Sequence, residues 1–205
     1  MGPNDCVMNL GKTPIEMGPS VPRRQGPVSK WIFQQLMKAA GWKITGSIPD
    51  LNKFVLIGGP HTSNWDFVFG VLSVFSLGLD VHFIGKHTLF KPPFGWLLRK
   101  FGGIPVNRAN PGTLYRDILR GFSENEAFVF GLSPEGTRSK VEKWKPGFHR
   151  IAKAANVPIL PAALDFKLKT VHYGPLFWVT DDFEADVRHL KSFYAGFAAK
   201  RPELF

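Results

Sequence analysis

The sequence has almost no cysteine. Cys6 is the single cysteine among 205 residues, so the chain cannot form an internal disulfide. A chain of this length can bury a substantial apolar core without disulfides, and its 44% hydrophobic and 20% charged residues are typical of one globular domain. The cysteine content therefore gives no sign of an oxidising compartment.

Long apolar runs are also missing. The most apolar long stretch, residues 67–79, has 13 residues, whereas a membrane-spanning helix needs about 20. The N-terminus lacks the ordered basic region, apolar run and cleavage site that mark a secretory signal. If this protein meets a membrane, we expect it to lie on the membrane surface.

Acidic residues are few. The 16 Asp and Glu residues are outnumbered by 26 Lys and Arg residues, which gives a formal net charge of +10. Such an excess attracts phosphate, whether on nucleic acid, on anionic lipid headgroups or on a small substrate. Charge alone does not distinguish among these partners.

The first 27 residues are rich in glycine and proline and show little apolar periodicity, which predicts a flexible leader over residues 1–27 and a single domain over residues 28–205. From there, apolar residues such as Trp31, Ile32 and Leu36 recur at helical spacing among lysines, which predicts an N-terminal amphipathic helix. Two interpretations are open. The helix packs on the core, or it dips its aromatic edge into a bilayer interface, where each nearby lysine adds about 1 kcal/mol.

Beyond this helix, short apolar strands alternate with helices. This order predicts an α/β fold with a mostly parallel central sheet flanked by helices. No repeat or linker divides it. The predicted strands cover residues 54–59, 81–85, 104–106, 127–132, 158–164 and 169–174, and the predicted helices cover residues 64–77, 94–101, 112–123, 147–156 and 183–199.

The segment HTSNWD crowds polar residues into the junction between the first of these strands and the next helix. Its His61 and Asp66 are five residues apart, and on a continuous helix this step would separate the two side chains by about 140°. A turn between them would let the carboxylate orient the imidazole, which could then take a proton from an alcohol near pH 7. The alternative is structural: Ser63 and Asp66 form a capping box, and His61 is incidental.

The segment SPEGTRSK also follows a predicted strand. Its first three residues, from Ser133 to Glu135, suit the start of a helix. Gly136 then interrupts that helix, and Thr137 and Arg138 begin a run of side chains that can donate hydrogen bonds to phosphate. A helix start and a functional loop are both open interpretations.

Two more segments adjoin predicted strands. GGIPVNR ends in Arg108, whose guanidinium suits bidentate binding of phosphate, although an ordinary exposed arginine is the alternative. In VPILPA, Pro158 and Pro161 interrupt a buried strand. Prolines in such a strand indicate an edge strand or a wall beside a ligand.

Taken together, these segments resemble the glycerol-phosphate and lysophospholipid acyltransferase family, which is known for an H-x-x-x-x-D motif. The matches are HTSNWD, GGIPVNR, SPEGTRS and VPILPA, in the family's order and spacing, and the resemblance covers residues 53–174. Two positions depart from the family pattern. Pro60 replaces a common Asn, and Ser133 replaces a common apolar residue, so the acceptor pocket is expected to differ in shape.

The resemblance implies that a lipid hydroxyl attacks the thioester of an acyl-CoA or an acyl-carrier-protein, which serves as co-substrate without any other cofactor or a metal. His61 would be the general base and Asp66 its orienting partner. The acceptor would be held by Arg108, Glu135, Gly136, Thr137 and Arg138, and the two arginines would meet its phosphate.

The expected acceptor is lysophosphatidic acid or another lysophospholipid. The expected partners are an anionic membrane surface and these substrates, without nucleic acid, and the expected location is cytoplasmic and peripheral on the inner face of the cell membrane. Two alternatives are open: a non-catalytic basic protein that binds membranes or nucleic acid, and a lipid hydrolase that uses the same His–Asp pair to activate water.

Overall fold

A computed structural model describes residues 15–24, 26–92, 95–106, 111–137, 139–141 and 143–204. The strands are β1 (Glu16–Met17), β2 (Lys43–Ile48), β3 (Lys53–Gly59), β4 (Val81–Lys86), β5 (Gly103–Val106), β6 (Phe128–Leu132), β7 (Ile159–Asp165) and β8 (Thr170–Tyr173). The helices are α1 (Pro27–Ala39), α2 (Asn64–Leu77), α3 (Gly95–Lys100), α4 (Pro111–Glu124), α5 (Gly147–Ala155) and α6 (Phe183–Tyr194). Short 3₁₀ helices cover His87–Phe90 and Pro202–Leu204.

The strands form one sheet in the order β1-β2-β8-β7-β3-β6-β4-β5. Five neighbouring strands, β7, β3, β6, β4 and β5, are mutually parallel, and β8 runs antiparallel to β7. This arrangement confirms the predicted mostly parallel α/β fold. The five parallel strands end at one edge, which we call the carboxyl edge, and ligand sites of open α/β sheets lie at such edges.

Both faces of the central strand β3 are buried. Phe54 and Leu56 belong to a core that includes residues of α1 and α2, whereas Val55 and Ile57 belong to a second core under α4, α5 and α6. A continuous apolar strand is expected where helices cover both faces of a parallel sheet. The end of β3 is therefore held firmly from both sides.

Helix α1 packs on α2 through part of its surface. The ring of Phe33 lies 4.9 Å from that of Phe75, and the Gln34 amide donates to the Ser76 carbonyl at 3.0 Å. The opposite part of α1 leaves large apolar side chains exposed, namely Val28, Trp31, Ile32 and Leu36. In the part of the chain that the structure describes, no helix is both long and apolar enough to cross a membrane.

Part of the segment predicted as a flexible leader packs on the domain. β1 pairs with β2, Val21 is 2% exposed, and Arg24 forms an ion pair with Asp80 at 2.5 Å. Strand β2 was not predicted, because its residues follow the N-terminal helix without a clear alternating pattern. Helix α6 ends at Tyr194, five residues before its predicted end at position 199.

The proline-containing strand β7 is not an edge strand, so that interpretation was wrong. It lies between β3 and β8. The Pro161 carbonyl accepts the Gly174 N–H at 2.8 Å, so the side of Pro161 that lacks an N–H faces the end of β8. The last paired residues there are Ala162 and Tyr173. The missing donor therefore falls just beyond the ladder and costs little.

Candidate active site

The HTSNWD segment leaves the end of β3 and starts α2 within a few residues. Ser63 is the N-cap, and its hydroxyl accepts the Trp65 N–H at 3.2 Å. Asp66 reaches back and accepts the Ser63 N–H at 2.5 Å. The predicted capping box is therefore confirmed. It places His61 before the helix, with the turn between His61 and Asp66 that cooperation requires.

The Asp66 carboxylate is buried at the start of α2, with its residue 3% exposed. Besides the Ser63 N–H, it accepts the Thr62 N–H at 2.5 Å and the Ser63 hydroxyl at 3.0 Å. Backbone donors at a helix N-terminus favour a negative charge, and they compensate the burial of this one. The carboxylate is thus fixed by the same loop that carries His61.

His61 lies beside this carboxylate, with Nδ1 3.7 Å from Asp66 Oδ2 and about a fifth of its side chain exposed. The distance is longer than a hydrogen bond, and such contacts in unliganded sites often tighten when substrate binds. The carboxylate therefore interacts electrostatically with the Nδ1 side of the ring. This arrangement can orient an imidazole and stabilise its protonated form.

Glu135 ties the loop after β6 to the loop after β3. Its residue is 4% exposed, and its Oε2 accepts the His61 N–H at 2.8 Å. Its Oε1 is buried and makes no hydrogen bond within the described ranges. Burial is the largest cause that raises the pKa of Glu135 to about 7, the His61 N–H opposes it, and the charge of Asp66 adds to it. Glu135 was predicted to bind the acceptor, but its burial favours a role in positioning His61.

The rest of the SPEGTRS loop does not start a helix, so that alternative was wrong. A turn closes instead, with the Gly136 N–H donating to the Ser133 carbonyl at 3.2 Å and a φ of 66° at Gly136. The next helix begins only at Gly147. Gly136 is exposed, and the half-buried Thr137 accepts the Ser139 N–H at 3.3 Å. Both residues follow Glu135 in the sequence, whose carboxyl group accepts the His61 N–H.

The two arginines predicted to bind phosphate, Arg108 and Arg138, lie outside the described residues. Their predicted roles stay predictions. The strand before Arg108, β5, is three positions from β3 in the sheet, which corresponds to roughly 14 Å at the usual strand spacing. β5 and β3 therefore end at the same edge of the sheet but are separated by two other strands.

Sequence reasoning missed Tyr194, which supports the site from α6. This fully buried tyrosine donates its hydroxyl to the Ile57 carbonyl at 2.8 Å. A Cβ at Gly59 would lie 3.2 Å from the Tyr194 ring, so the glycine lets this ring pack closely against the end of β3. Burial, and then the charge of Glu135, raise the pKa of Tyr194 well above its usual value. The glycine pair before Pro60 is the only signal of this contact in the sequence.

A second His–Asp pair lies elsewhere in the core. His149 Nε2 is 2.8 Å from Asp186 Oδ2, and Asp186 also accepts the N–H and hydroxyl of Thr180 at 2.7 and 2.9 Å. The side chains of His149 and Asp186 are 7% and 4% exposed. This pair joins α5 to α6 out of reach of a substrate, so the more exposed His61 is the better candidate base.

No group of three or more His, Cys, Asp or Glu side chains is arranged to hold a metal ion within the described ranges. A histidine beside a buried carboxylate, at the end of a parallel strand, has the geometry that a general base needs.

The structure combines a mostly parallel α/β sheet with a partly exposed histidine beside a buried carboxylate at its carboxyl edge. Residues 43–165 match the Acyltransferase family, and the chain belongs to that family. It is 30% identical over 121 residues to the 1-acyl-sn-glycerol-3-phosphate acyltransferase of Streptococcus pneumoniae (strain ATCC BAA-255 / R6), a match that covers 57% of this chain and 44% of that protein. The chain thus spans less than half the length of that relative.

The fold is shared with a solved structure. The crystal structure of the 1-acyl-sn-glycerophosphate (LPA) acyltransferase, PlsC, from Thermotoga maritima matches with a TM-score of 0.61 at 18% sequence identity. The match covers 80% of this chain and 74% of that one. At this identity, the likeness concerns the fold alone.

The raised pKa of Glu135 predicts a pH-dependent stability. Because the pKa is about 7 in the folded state against 4.5 for the free group, the folded state binds more protons between these values. Stability should therefore fall as the pH rises from 4.5 to 7. Glu135→Gln removes this pH-dependent loss and keeps an oxygen that accepts the His61 N–H. Between pH 4.5 and 7, the free energy of unfolding of the variant should therefore rise by roughly 2–3 kcal/mol relative to that of the wild type.

Denaturant unfolding at a series of pH values measures this effect. Glu124→Gln, on the exposed surface of α4, is the control and should follow the wild-type curve. Parallel curves for the wild type and Glu135→Gln would contradict the assignment. Glu135→Ala, which loses the acceptor for the His61 N–H, should impair any activity of the site more than Glu135→Gln does.

Proposed function

We propose that this protein is an O-acyltransferase that moves a fatty acyl group from a thioester to a hydroxyl of a glycerophospholipid-type acceptor. The observation that carries the proposal is the position of His61, which is partly exposed at the carboxyl edge with Nδ1 facing the buried Asp66. Membership of the Acyltransferase family supports the reaction class.

The proposed reaction needs one base and no covalent enzyme intermediate. The acceptor oxygen attacks the thioester carbonyl carbon while its proton moves to His61. The tetrahedral intermediate then breaks its C–S bond, and the thiolate leaves with the proton from the imidazolium. Asp66, 3.7 Å from Nδ1, stabilises the imidazolium between these two steps. The protein otherwise acts by holding the two substrates together.

The proposed acceptor carries a phosphate, and lysophosphatidic acid or another lysophospholipid fits best. The name of the Streptococcus pneumoniae relative, a 1-acyl-sn-glycerol-3-phosphate acyltransferase, supports this acceptor, as does the net charge of +10. The acyl donor is an acyl-CoA or an acyl-carrier-protein. We assign acceptor binding to Arg108, Gly136, Thr137 and Arg138.

We further propose that the protein works on the inner face of the cell membrane as a peripheral protein. Helix α1 exposes Trp31, Ile32 and Leu36, and α2 exposes Trp65 and Val68. In α1 these apolar side chains lie between Lys30 and Lys38 in the sequence, as in basic helices that lie in an anionic membrane interface. Because His61 lies three positions before the first residue of α2, this surface would bring the site to its lipid substrate.

Loss of the base should abolish transfer. His61→Ala should lower the rate of transfer from labelled acyl-CoA or acyl-carrier-protein to lysophosphatidic acid by about 10²- to 10⁴-fold, which is the usual contribution of a general base. The thermal unfolding of the variant should stay close to that of the wild type. His189→Ala, on the exposed side of α6, is the matched control and should keep its activity.

A full rate for His61→Ala would contradict its role as the base. Release of free fatty acid at an equal rate without any acceptor lipid would identify a hydrolase instead. If neither transfer nor hydrolysis occurs with any donor, the result would support the alternative of a non-catalytic basic binding protein. Binding to nucleic acid, if present, would weaken steeply as salt is added.

Loss of the proposed phosphate ligand should act on acceptor binding. Arg138→Ala should raise the KM for lysophosphatidic acid by about ten- to a hundredfold, because hydrogen bonds to a charged group contribute about 1.5–3 kcal/mol. The KM for the acyl donor should change little. Arg150→Ala removes an exposed arginine from α5 and serves as the control. An unchanged acceptor KM in Arg138→Ala would remove its phosphate role.

The membrane proposal predicts a difference between two exposed tryptophans. Trp31 on α1 is 60% exposed. Trp178 is 56% exposed and follows Phe177, which forms a bridge with Ile159 at the start of β7. Trp31→Ser should weaken partitioning onto phospholipid vesicles by about tenfold, since burial of a large apolar side chain contributes about 1.5–3 kcal/mol. Trp178→Ser should partition like the wild type in the same flotation assay. Equal behaviour of the two variants would contradict docking through α1.

A further inference from the structure

A groove of about 270 Å³ opens at the carboxyl edge, beside the HTSNWD loop but separate from the His61–Asp66 pair. It lies between the end of α1, the first turns of α2, the turn from β7 to β8 and the C-terminal segment. The side chains that matter for its chemistry are Trp42, Trp65, Phe69, Phe166, Lys169 and Lys200. None of these residues has a role in the proposed transfer reaction.

The wall of the groove is aromatic and closely packed. Trp42 stacks on Phe69 with ring centroids 4.0 Å apart, and Phe166 meets Trp42 edge-on at 5.0 Å. Trp65 lies nearly parallel to Phe69 at 5.9 Å. Because these rings hold one another in place, a ligand would meet a preformed apolar surface and would not have to order it.

Two cations stand at the mouth of this apolar surface. Lys200 Nζ lies 5.5 Å from the centre of the Phe166 ring, and the exposed Lys169 also lines the groove. Within the described ranges, neither lysine forms an ion pair with a carboxylate. Two unpaired ammonium groups over an apolar groove suit a ligand with an anionic head and an apolar body.

The rim of the groove also carries exposed apolar residues. Trp65 is 55% exposed, and Leu168, directly before Lys169, is 66% exposed. Ala40, which lines the groove, is one helical turn beyond the exposed Leu36 of α1. Lysine and tryptophan together are typical of the depth at which a protein meets lipid phosphates. The groove is thus continuous with the surface proposed to dock on a membrane, where a lipid rather than a soluble anion is the available ligand.

We propose that this groove binds one anionic phospholipid of the membrane, with its phosphate at Lys169 and Lys200 and its glycerol and first methylenes on the aromatic wall. The inference rests on the proposed membrane function and gives that surface a specific lipid ligand. A lipid in the groove would also contact two residues that are next in sequence to residues of the His61 loop or to its hydrogen-bond partners. Trp65 precedes Asp66, and Lys200 precedes Arg201, whose N–H donates to the Thr62 hydroxyl at 3.2 Å.

The test uses a soluble short-chain phosphatidylglycerol, kept below the concentration at which it forms micelles, and measures its binding to the full chain by tryptophan fluorescence. Binding should be saturable and should be absent with the matching phosphatidylcholine. The double substitution Lys169→Gln and Lys200→Gln should weaken it at least tenfold, since a lysine near an anionic lipid contributes about 1 kcal/mol. The control, Arg150→Gln with Arg188→Gln, removes two exposed charges from α5 and α6 and should bind like the wild type.

Equal losses in the two double variants would overturn the proposal, because they would indicate a general charge effect. Displacement of the lipid by an equal concentration of inorganic phosphate would also overturn it, because the groove would then be an anion site without lipid specificity. Undiminished binding in the lysine variant would place the lipid elsewhere. Vesicle flotation of Trp31→Ser tests membrane docking by itself, so failure of docking and failure of the lipid groove are distinguishable.

Discussion

The position of His61 depends on the hydrogen bonds that the backbone N–H groups just before α2 donate to Asp66. Thr62 and Ser63 both donate to the carboxylate of Asp66, which is itself in the first turn of the helix. The helix start is thus stabilised by a buried charge, and that charge lies 3.7 Å from the imidazole. Capping and the proposed catalytic role do not compete for Asp66, because the same carboxylate can cap the helix and orient the ring.

A second carboxyl group, that of Glu135, also holds the loop that carries His61. Glu135 comes from the loop after the neighbouring strand β6 and accepts the His61 N–H, so the loop that carries the candidate base is bonded to a second loop of the carboxyl edge. The burial that makes this tie firm also raises the pKa of Glu135 to about 7. Tyr194 completes the support, since it bonds the Ile57 carbonyl just before the loop. The site is therefore built on strand ends and a helix, which position side chains more precisely than a free loop does.

The features that the sequence predicts well are local. Alternating apolar strands and helices predict the α/β sheet, and the spacing from Ser63 to Asp66 predicts the capping box. The burial of Glu135 was not predictable, because its partner His61 is 74 residues away and the contact exists only once β3 and β6 pair. The same holds for Tyr194, 137 residues from Ile57. The rule that prolines mark edge strands was misleading at Pro161, since a missing N–H matters only where a partner strand is present to receive it.

The central claim is that Asp66 orients His61 so that its other ring nitrogen can act as a base. The most direct measurement is ¹⁵N NMR of the six histidines at a pH where His61 is neutral, with the His61 signals assigned from His61→Gln. A carboxylate beside Nδ1 favours the proton on that nitrogen. The account predicts the Nδ1–H form for His61 in the wild type and a loss of this preference in Asp66→Asn. A proton on Nε2 in both proteins would contradict it.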